Sequence, residues 1–501
     1  MTMKAKYLPI GIALTISSLF SACSNSWLNV NPSTAVPQGQ AMNTLEGMQA
    51  ALNGVYRQTS QHSYYGDNHW YYGDCRATDV QARVINKSRI VPYYTYNVQP
   101  TDNNNVVLPW NRPYLVIRQA NNLIQAINQY PSEKITPEIQ NIKAEALALR
   151  GLALFNLTRM YGMPYMNDNG ASLGVPIETT PQTPDHRPAR NTVAECYTQV
   201  ITDFEDAIKL GISKEKKDGH INYWGVQALL SRVYLNKGDY KNAYACATDV
   251  IENNGNNYQL YNQENYSKIW GQDFQAESIF ELFIDTNEPS EWGGGTGGEG
   301  TPSVYEDITE ESGWNNLILT DDFLTLLNED PQDVRHCIAK KSAIENNEKL
   351  PEAARNQPVI LTKFPGKNGD VKTNNICIIR LSEVYLNAAE AGLKEGGASA
   401  QQGMKYFNEL IAERTSNTAQ QVETAQFTVE RILKERRKEL IGEGLIYFDY
   451  LRTQTPIERK GQWHLDLKNY DAVTILHTDP RVALPIPQNE IDANPNINSK
   501  K

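Results

Sequence analysis

The chain has 501 residues, with 47 Lys and Arg against 58 Asp and Glu, for a formal net charge of −11. That length allows two or three domains or one elongated array. The acidic balance argues against nucleic acid as a partner, because phosphate binding needs clustered Lys and Arg. Tyr (27) and Trp (8) together outnumber Phe (11). Such rings carry a polar handle, which suits a core rimmed with hydroxyls or a wet binding surface.

In chain order, the first feature is a leader. Lys4 and Lys6 precede a short, mostly apolar run from Tyr7 to Phe20, then Ser21, Ala22 and Cys23. This is the layout of a secretory signal, and the apolar run is too short to span a bilayer. Phe20-Ser21-Ala22-Cys23 resembles a bacterial lipobox, with Phe20 in place of the usual Leu. The expectation is a signal peptide over 1–22 and acyl chains on Cys23, enough to anchor the chain without crossing the membrane.

Pro109 to Tyr130 places Tyr114, Ile117, Ala120, Asn121, Ile124 and Ile127 at helical spacing. Trp110, beside Pro109 at its start, is expected to pack between helices. Asn141 to Tyr161 is apolar nearly all round the wheel and predicts a buried helix. Asn191 and Thr192 can cap a helix bearing Val193, Cys196, Val200, Phe204 and Ile208 on one face. Trp224 to Gly255 fits one tetratricopeptide (TPR) unit, with Gly238 ending its first helix and small Ala243 and Ala247 on its second. Ile379 to Thr415 predicts a second, degenerate unit. One such unit cannot bury its face alone, so several must stack.

Three long stretches read as loops: Tyr56 to Asn105, Phe283 to Leu319, and Ala339 to Thr373. Long ordered loops with aromatics among amides point to function. Cys75, Cys196, Cys246, Cys337 and Cys377 are odd in number and lack C-x-x-C spacing, so neither a disulfide framework nor a zinc site is expected. Near the C-terminus, Glu435, Arg436, Arg437, Glu439 and Glu443 share a stretch with apolar Val429, Ile432, Leu433 and Leu440. Charges at i, i+3 and i+4 spacing read as salt-bridged faces. The Gly-rich EWGGGTGGEG lacks the Lys-Ser/Thr of a P-loop, and neither HExxH nor G-x-S-x-G occurs. No enzyme constellation is therefore expected. Paired carboxylates could still meet in space, which keeps a glycoside hydrolase among the alternatives.

Several segments then carry a resemblance. They are NTLEGMQAALNGVY (Asn43 to Tyr56), WNRPYLVIRQANNLI (Trp110 to Ile124), AEALALRGLALFNLTRMYGMPYM (Ala144 to Met166), IIRLSEVYLNAAEA (Ile378 to Ala391), ILKERRKELIGEGLIYFDYLR (Ile432 to Arg452) and ALPIPQNEIDANPNI (Ala483 to Ile497). In this order they resemble the SusD/RagB-like family of Bacteroidetes outer-membrane lipoproteins, over the whole mature chain. The extreme C-terminus departs, with NSKK replacing the usual Gln-Asn-Pro-Gly-Tyr. Ser24, Asn25 and Ser26 also lack the acidic residues often associated with surface export.

The resemblance implies a mostly α fold, a TPR-like helical scaffold with an irregular loop-rich subdomain, and it implies that the charges of Glu435, Arg436, Arg437, Glu439 and Glu443 form a buried structural network. Domain 23–501 would divide into a helical part to about 270, a loop-rich insertion over about 271–375, and C-terminal helices and tail from about 376. It also implies a glycan-binding lipoprotein on the exterior of the outer membrane, delivering oligosaccharide to a SusC-like TonB-dependent transporter. A protein-binding TPR adaptor without sugar affinity is the alternative. Sugar faces stack on aromatic rings, and sugar hydroxyls bond Asp, Asn and Arg. Trp70, Tyr71 and Tyr96 in the first loop, and Trp292 and Trp314 in the second, are the candidate rings. The family pattern of an Asp and an Arg after the first helix and an Asn before the second falls on Asp79, on Arg83 or Arg89, and on Asn104. No cofactor is expected, although loop Asp and Asn residues would suit a calcium ion.

Overall fold

The computed structural model describes residues 41–66, 68–82, 90–284, 305, 317–341, 358–366, 374–460, 464 and 467–498. The principal elements are α1 (Leu45–Thr59), α2 (Asn68–Arg76), β1 (Val80–Ala82), α3 (Leu108–Gln129), α4 (Pro137–Tyr161), α5 (Val193–Lys209), α6 (Tyr223–Lys237) and α7 (Tyr240–Asn253). After them come β2 (Ser278–Leu282), β3 (Leu317–Leu319), β4 (Ala339–Lys341), β5 (Val359–Leu361), β6 (Ile376–Arg380), α8 (Leu381–Glu395), α9 (Gly397–Arg414), α10 (Val429–Leu440) and α11 (Ile446–Arg452). The protein is mostly α. Its strands form only two-stranded ladders: β1–β3, β2–β6 and β4–β5, all antiparallel, with one further short pair near the C-terminus.

Successive helices stack as pairs: α3 on α4, α4 on α5, α6 on α7, α7 on α8, and α8 on α9. As its wheel predicts, α4 is buried on every side from Ala144 to Tyr161. The α5 start is a capping box. The Thr192 hydroxyl accepts from Glu195 N, and the Glu195 carboxylate accepts from Thr192 N. Such a cap is worth about 1 kcal/mol. Gly238 ends α6 at φ +77°, a conformation that a side chain resists. The turn folds α7 back so that Ala243 and Ala247 are fully buried. Both TPR-like units thus form where their spacing predicts. No described helix is long and apolar enough to cross a membrane.

The first of the three expected loops is instead largely structured. α1 runs on to Thr59, a π-turn spans His62–Gly66, and α2 follows. Every residue of α2 is buried. It is clamped against the turn before α11. A Cβ on Gly73 would come within 2.0 Å of the Gly444 carbonyl oxygen, so only glycine permits this approach. The five described cysteines are unpaired, with Cys75 and Cys196 buried.

Candidate functional site

The sequence-predicted rings of the first loop lie in the core. Trp70 is 4 % exposed, Tyr71 1 % and Tyr96 4 %. Their polar handles are used internally. The Trp70 indole N–H donates to the Tyr65 carbonyl at 2.7 Å. The Asn68 amide donates to the Tyr71 hydroxyl at 2.8 Å. The Tyr96 hydroxyl donates to the Arg76 carbonyl at 2.6 Å. This corrects the expectation that these rings present their faces to a sugar. Amides from the same stretch satisfy the hydroxyls, so the aromatic cluster can close on itself and on Tyr447 and Phe448 of α11.

Asp79 is also buried. Both of its carboxylate oxygens accept from Arg437 of α10, which also reaches Asp322 at 2.7 Å. A carboxylate so engaged does not face a ligand. Asn104 is half-buried, and its carbonyl accepts from Asn68 at 2.7 Å. Cys23, Arg83, Arg89, Trp292 and Trp314 lie outside the described residues. The β1–β3 ladder pairs Ala82 with Leu317. It therefore brings together the described ends of the first and second predicted loops.

A cleft of about 540 Å³ opens where α1, the turn at Asp218-Gly219-His220 and the end of β2 converge. Its aromatic wall is Phe283, 55 % exposed, stacked on Phe274 with ring centroids 6.3 Å apart and planes at 21°. Phe283 is the one exposed Phe, Tyr or Trp among the described residues. Phe274 is held at φ +52°, unusual for a bulky residue. Its N–H donates to the Glu281 carboxylate at 3.0 Å, and its carbonyl accepts from Lys216 at 3.0 Å. Burial raises the Glu281 carboxyl above its usual range. Asn53, Arg57 and Asp218 supply polar lining.

Behind Tyr56 and His220, which line this cleft, sits Glu145 of α4. It accepts from the Tyr56 hydroxyl at 2.5 Å and from Asn141 at 2.7 Å, and lies 2.8 Å from His220 Nδ1. Burial first, and Glu145 second, push the Tyr56 hydroxyl well above its usual range, so it stays a neutral donor. The polar groups behind the cleft are thus satisfied, while its wall carries a partly exposed aromatic ring. That combination binds a ligand with one apolar face and a hydroxyl-rich rim. Two other clefts lack an exposed Phe, Tyr or Trp ring. The one beside Tyr96, Tyr161 and Arg190 has tyrosines that are buried, and the one beside Tyr114 holds a half-buried ring. Among the described residues, no group of three or more His, Cys, Asp or Glu could hold a metal ion.

Sequence reasoning reached Phe283 only as the start of a loop and missed Asn53, Asp218, His220 and Phe274. These come from three separate segments, and no local spacing links them.

The chain also matches known proteins. Residues 26–235 match a family model described as "Starch-binding associating with outer membrane", and residues 241–500 match one described as "SusD family". A SusD superfamily protein of Bacteroides thetaiotaomicron, solved by crystallography, is 62% identical. The match covers 91% of this chain and 99% of that one, with a TM-score of 0.87. A SusD-like protein of Formosa agariphila is 23% identical, covering 95% of both chains. A solved laminarin-binding SusD-like protein is 25% identical, covering 91% of this chain and 98% of that one, with a TM-score of 0.68.

Proposed function

The chain belongs to the SusD family, and on that premise we propose that it binds oligosaccharide at the outer membrane without chemically changing it. The observation that carries this reading is the exposed Phe283 ring, stacked on Phe274 and flanked by Asn53, Arg57 and Asp218. A pyranose laid on that ring would gain about 0.5–1.5 kcal/mol if the contact resembles an aromatic pair. Its hydroxyls would meet the amide, guanidinium and carboxylate at the rim. The laminarin-binding relative supports glycan as the ligand class. Asn104, Arg83 or Arg89, Trp292 and Trp314 stay candidates for sugar contact. The double change Trp292→Ala, Trp314→Ala should lower affinity at least about tenfold.

Capture of this kind serves import. The proposed partner is a SusC-like TonB-dependent transporter, to which the bound sugar is delivered. Acylation of Cys23 would hold the protein on the outer leaflet, facing the cell exterior. Replacing Cys23 with Ala should abolish palmitate labelling, and continued labelling would refute the anchor. The deciding experiment runs the purified protein through native gels containing starch, laminarin and other polysaccharides. Retardation without release of reducing ends is expected. Release of reducing ends that survives repurification and vanishes with one Asp or Glu substitution would make it a hydrolase. No retardation on any glycan, with retention by a protein partner alone, would favour the adaptor.

A further inference from the structure

Most large buried cations in this scaffold have a carboxylate. In its helical core, Arg150 pairs with Asp203 at 2.6 Å and Arg232 with Glu383 at 2.6 Å, while Arg452 bonds Asp449 and Glu390. Arg159, on the last turns of α4, differs. It is only 7 % exposed and has no carboxylate within ion-pair range among the described residues. Its side chain makes one hydrogen bond, from Nη2 to Asn156 Oδ1 at 2.6 Å, and Nε has no partner. The faces of the guanidinium are covered by Phe155 and Phe448, whose ring centroids lie 4.2 and 4.1 Å away. Only its edge remains available. Burial, and after it the nearby Arg232, pull the guanidinium down to about 10.

That side chain lines a cavity of about 20 Å³, together with Tyr165, Tyr197, Asn236 and Arg452. Such a space holds one water-sized particle. The Tyr165 and Tyr197 hydroxyls donate to no protein atom among the described residues. The wall is therefore rich in donors and carries an unneutralised positive charge. A water would accept hydrogen bonds but leave the charge uncompensated, which is costly at this burial.

We propose that this cavity is a binding site for a single monatomic anion, chloride under ordinary conditions, held by the edge of Arg159 and the hydroxyls of Tyr165 and Tyr197. The site lies where α4, α5, α6 and α11 meet, away from the Phe283 cleft. The anion joins these helices and stabilises the fold without taking part in glycan capture.

Bromide is the probe. Crystals of the full chain in sodium bromide should show an anomalous peak in the cavity. The melting temperature should rise saturably with sodium bromide, relative to sodium gluconate at equal ionic strength. The halide-specific rise should shrink in Tyr197→Phe and vanish in Arg159→Met. If Arg159→Met does not fold, the diffraction peak and the Tyr197→Phe titration still decide. An empty cavity in bromide crystals, or coincident bromide and gluconate curves, overturns the proposal.

Discussion

The ion network beneath α10 and the cleft at Phe283 are both polar, and they use polarity in opposite ways. In the network every charge faces another. Glu439 meets Arg335 at 3.0 Å, Arg380 at 2.5 Å and Arg414 at 2.9 Å. Arg380 also pairs with Glu277 and Glu443, and Lys363 bonds Glu443. After the cost of burial, Arg414, Arg380 and Arg335 together hold the Glu439 carboxyl well below its usual range. Behind the cleft Glu145 is tied to Tyr56, Asn141 and His220, while the Phe283 ring is 55 % exposed. The difference teaches that charge density does not mark a site. A site needs an apolar face within reach of solvent beside polar groups.

The first way to break this contrast is to remove the central carboxylate. Glu439→Gln leaves Arg335, Arg380 and Arg414 buried with too few anions. Breaking a buried network in this way costs about 3–5 kcal/mol. The melting temperature should fall by many degrees, or the protein should not fold. Near-native melting would mean that the web is not a stabilising network, and would erase the contrast with the cleft.

A second test concerns a buried carboxyl that is not part of a web of cations. Asp74 of α2 accepts from the buried Tyr305 hydroxyl and from Gly444 N at 3.1 Å. Burial outweighs these donors and pushes its carboxyl up to about 7. The unfolded carboxyl titrates near 3.8. The folded state therefore holds the proton more tightly. This contribution to stability is complete below about pH 4 and is lost as the pH rises to about 7. Asp74→Asn removes the dependence. Relative to wild type it should gain stability between pH 5 and pH 8, by at most about 4 kcal/mol. Urea unfolding at the two pH values checks this, and parallel pH profiles for the two proteins would refute it.

The helical scaffold was legible because period and punctuation agree. The apolar wheel of α4, the capping pair at Thr192 and the break at Gly238 each occur within a few residues, and local physics decides them. Local spacing gave only salt-bridged faces at Glu435 and Glu439; the buried network was expected from the resemblance, because its partners Arg335, Arg380 and Arg414 lie on other segments. The aromatic first segment was not legible. Trp70 and Tyr71 among amides suit a sugar platform and a hydrogen-bonded core equally well. Only the approach of Gly73 to Gly444, between segments 371 residues apart, decides for the core. The cleft residues were hidden because Asn53, Asp218 and Phe274 meet only in three dimensions.

The smallest expected effect is the most informative about function. Phe283→Ala deletes the exposed half of the stacked pair and touches neither Glu145 nor the ion network. The ring is 55 % exposed, so it contributes little to the core and its loss should barely move the melting temperature. One lost stacking contact is worth about 0.5–1.5 kcal/mol, or roughly 2–13-fold in affinity. Affinity for the best glycan from the gel panel should fall within that range by isothermal titration. Phe283→Tyr keeps the face and should keep the affinity. If both variants bind as wild type does, the sugar does not rest on this ring. The surface then lies with Trp292 and Trp314, whose double substitution separates the cases. If Phe283→Ala instead lowers the melting temperature sharply, the ring is structural and the contrast between an inward-facing network and an outward-facing cleft fails at the cleft.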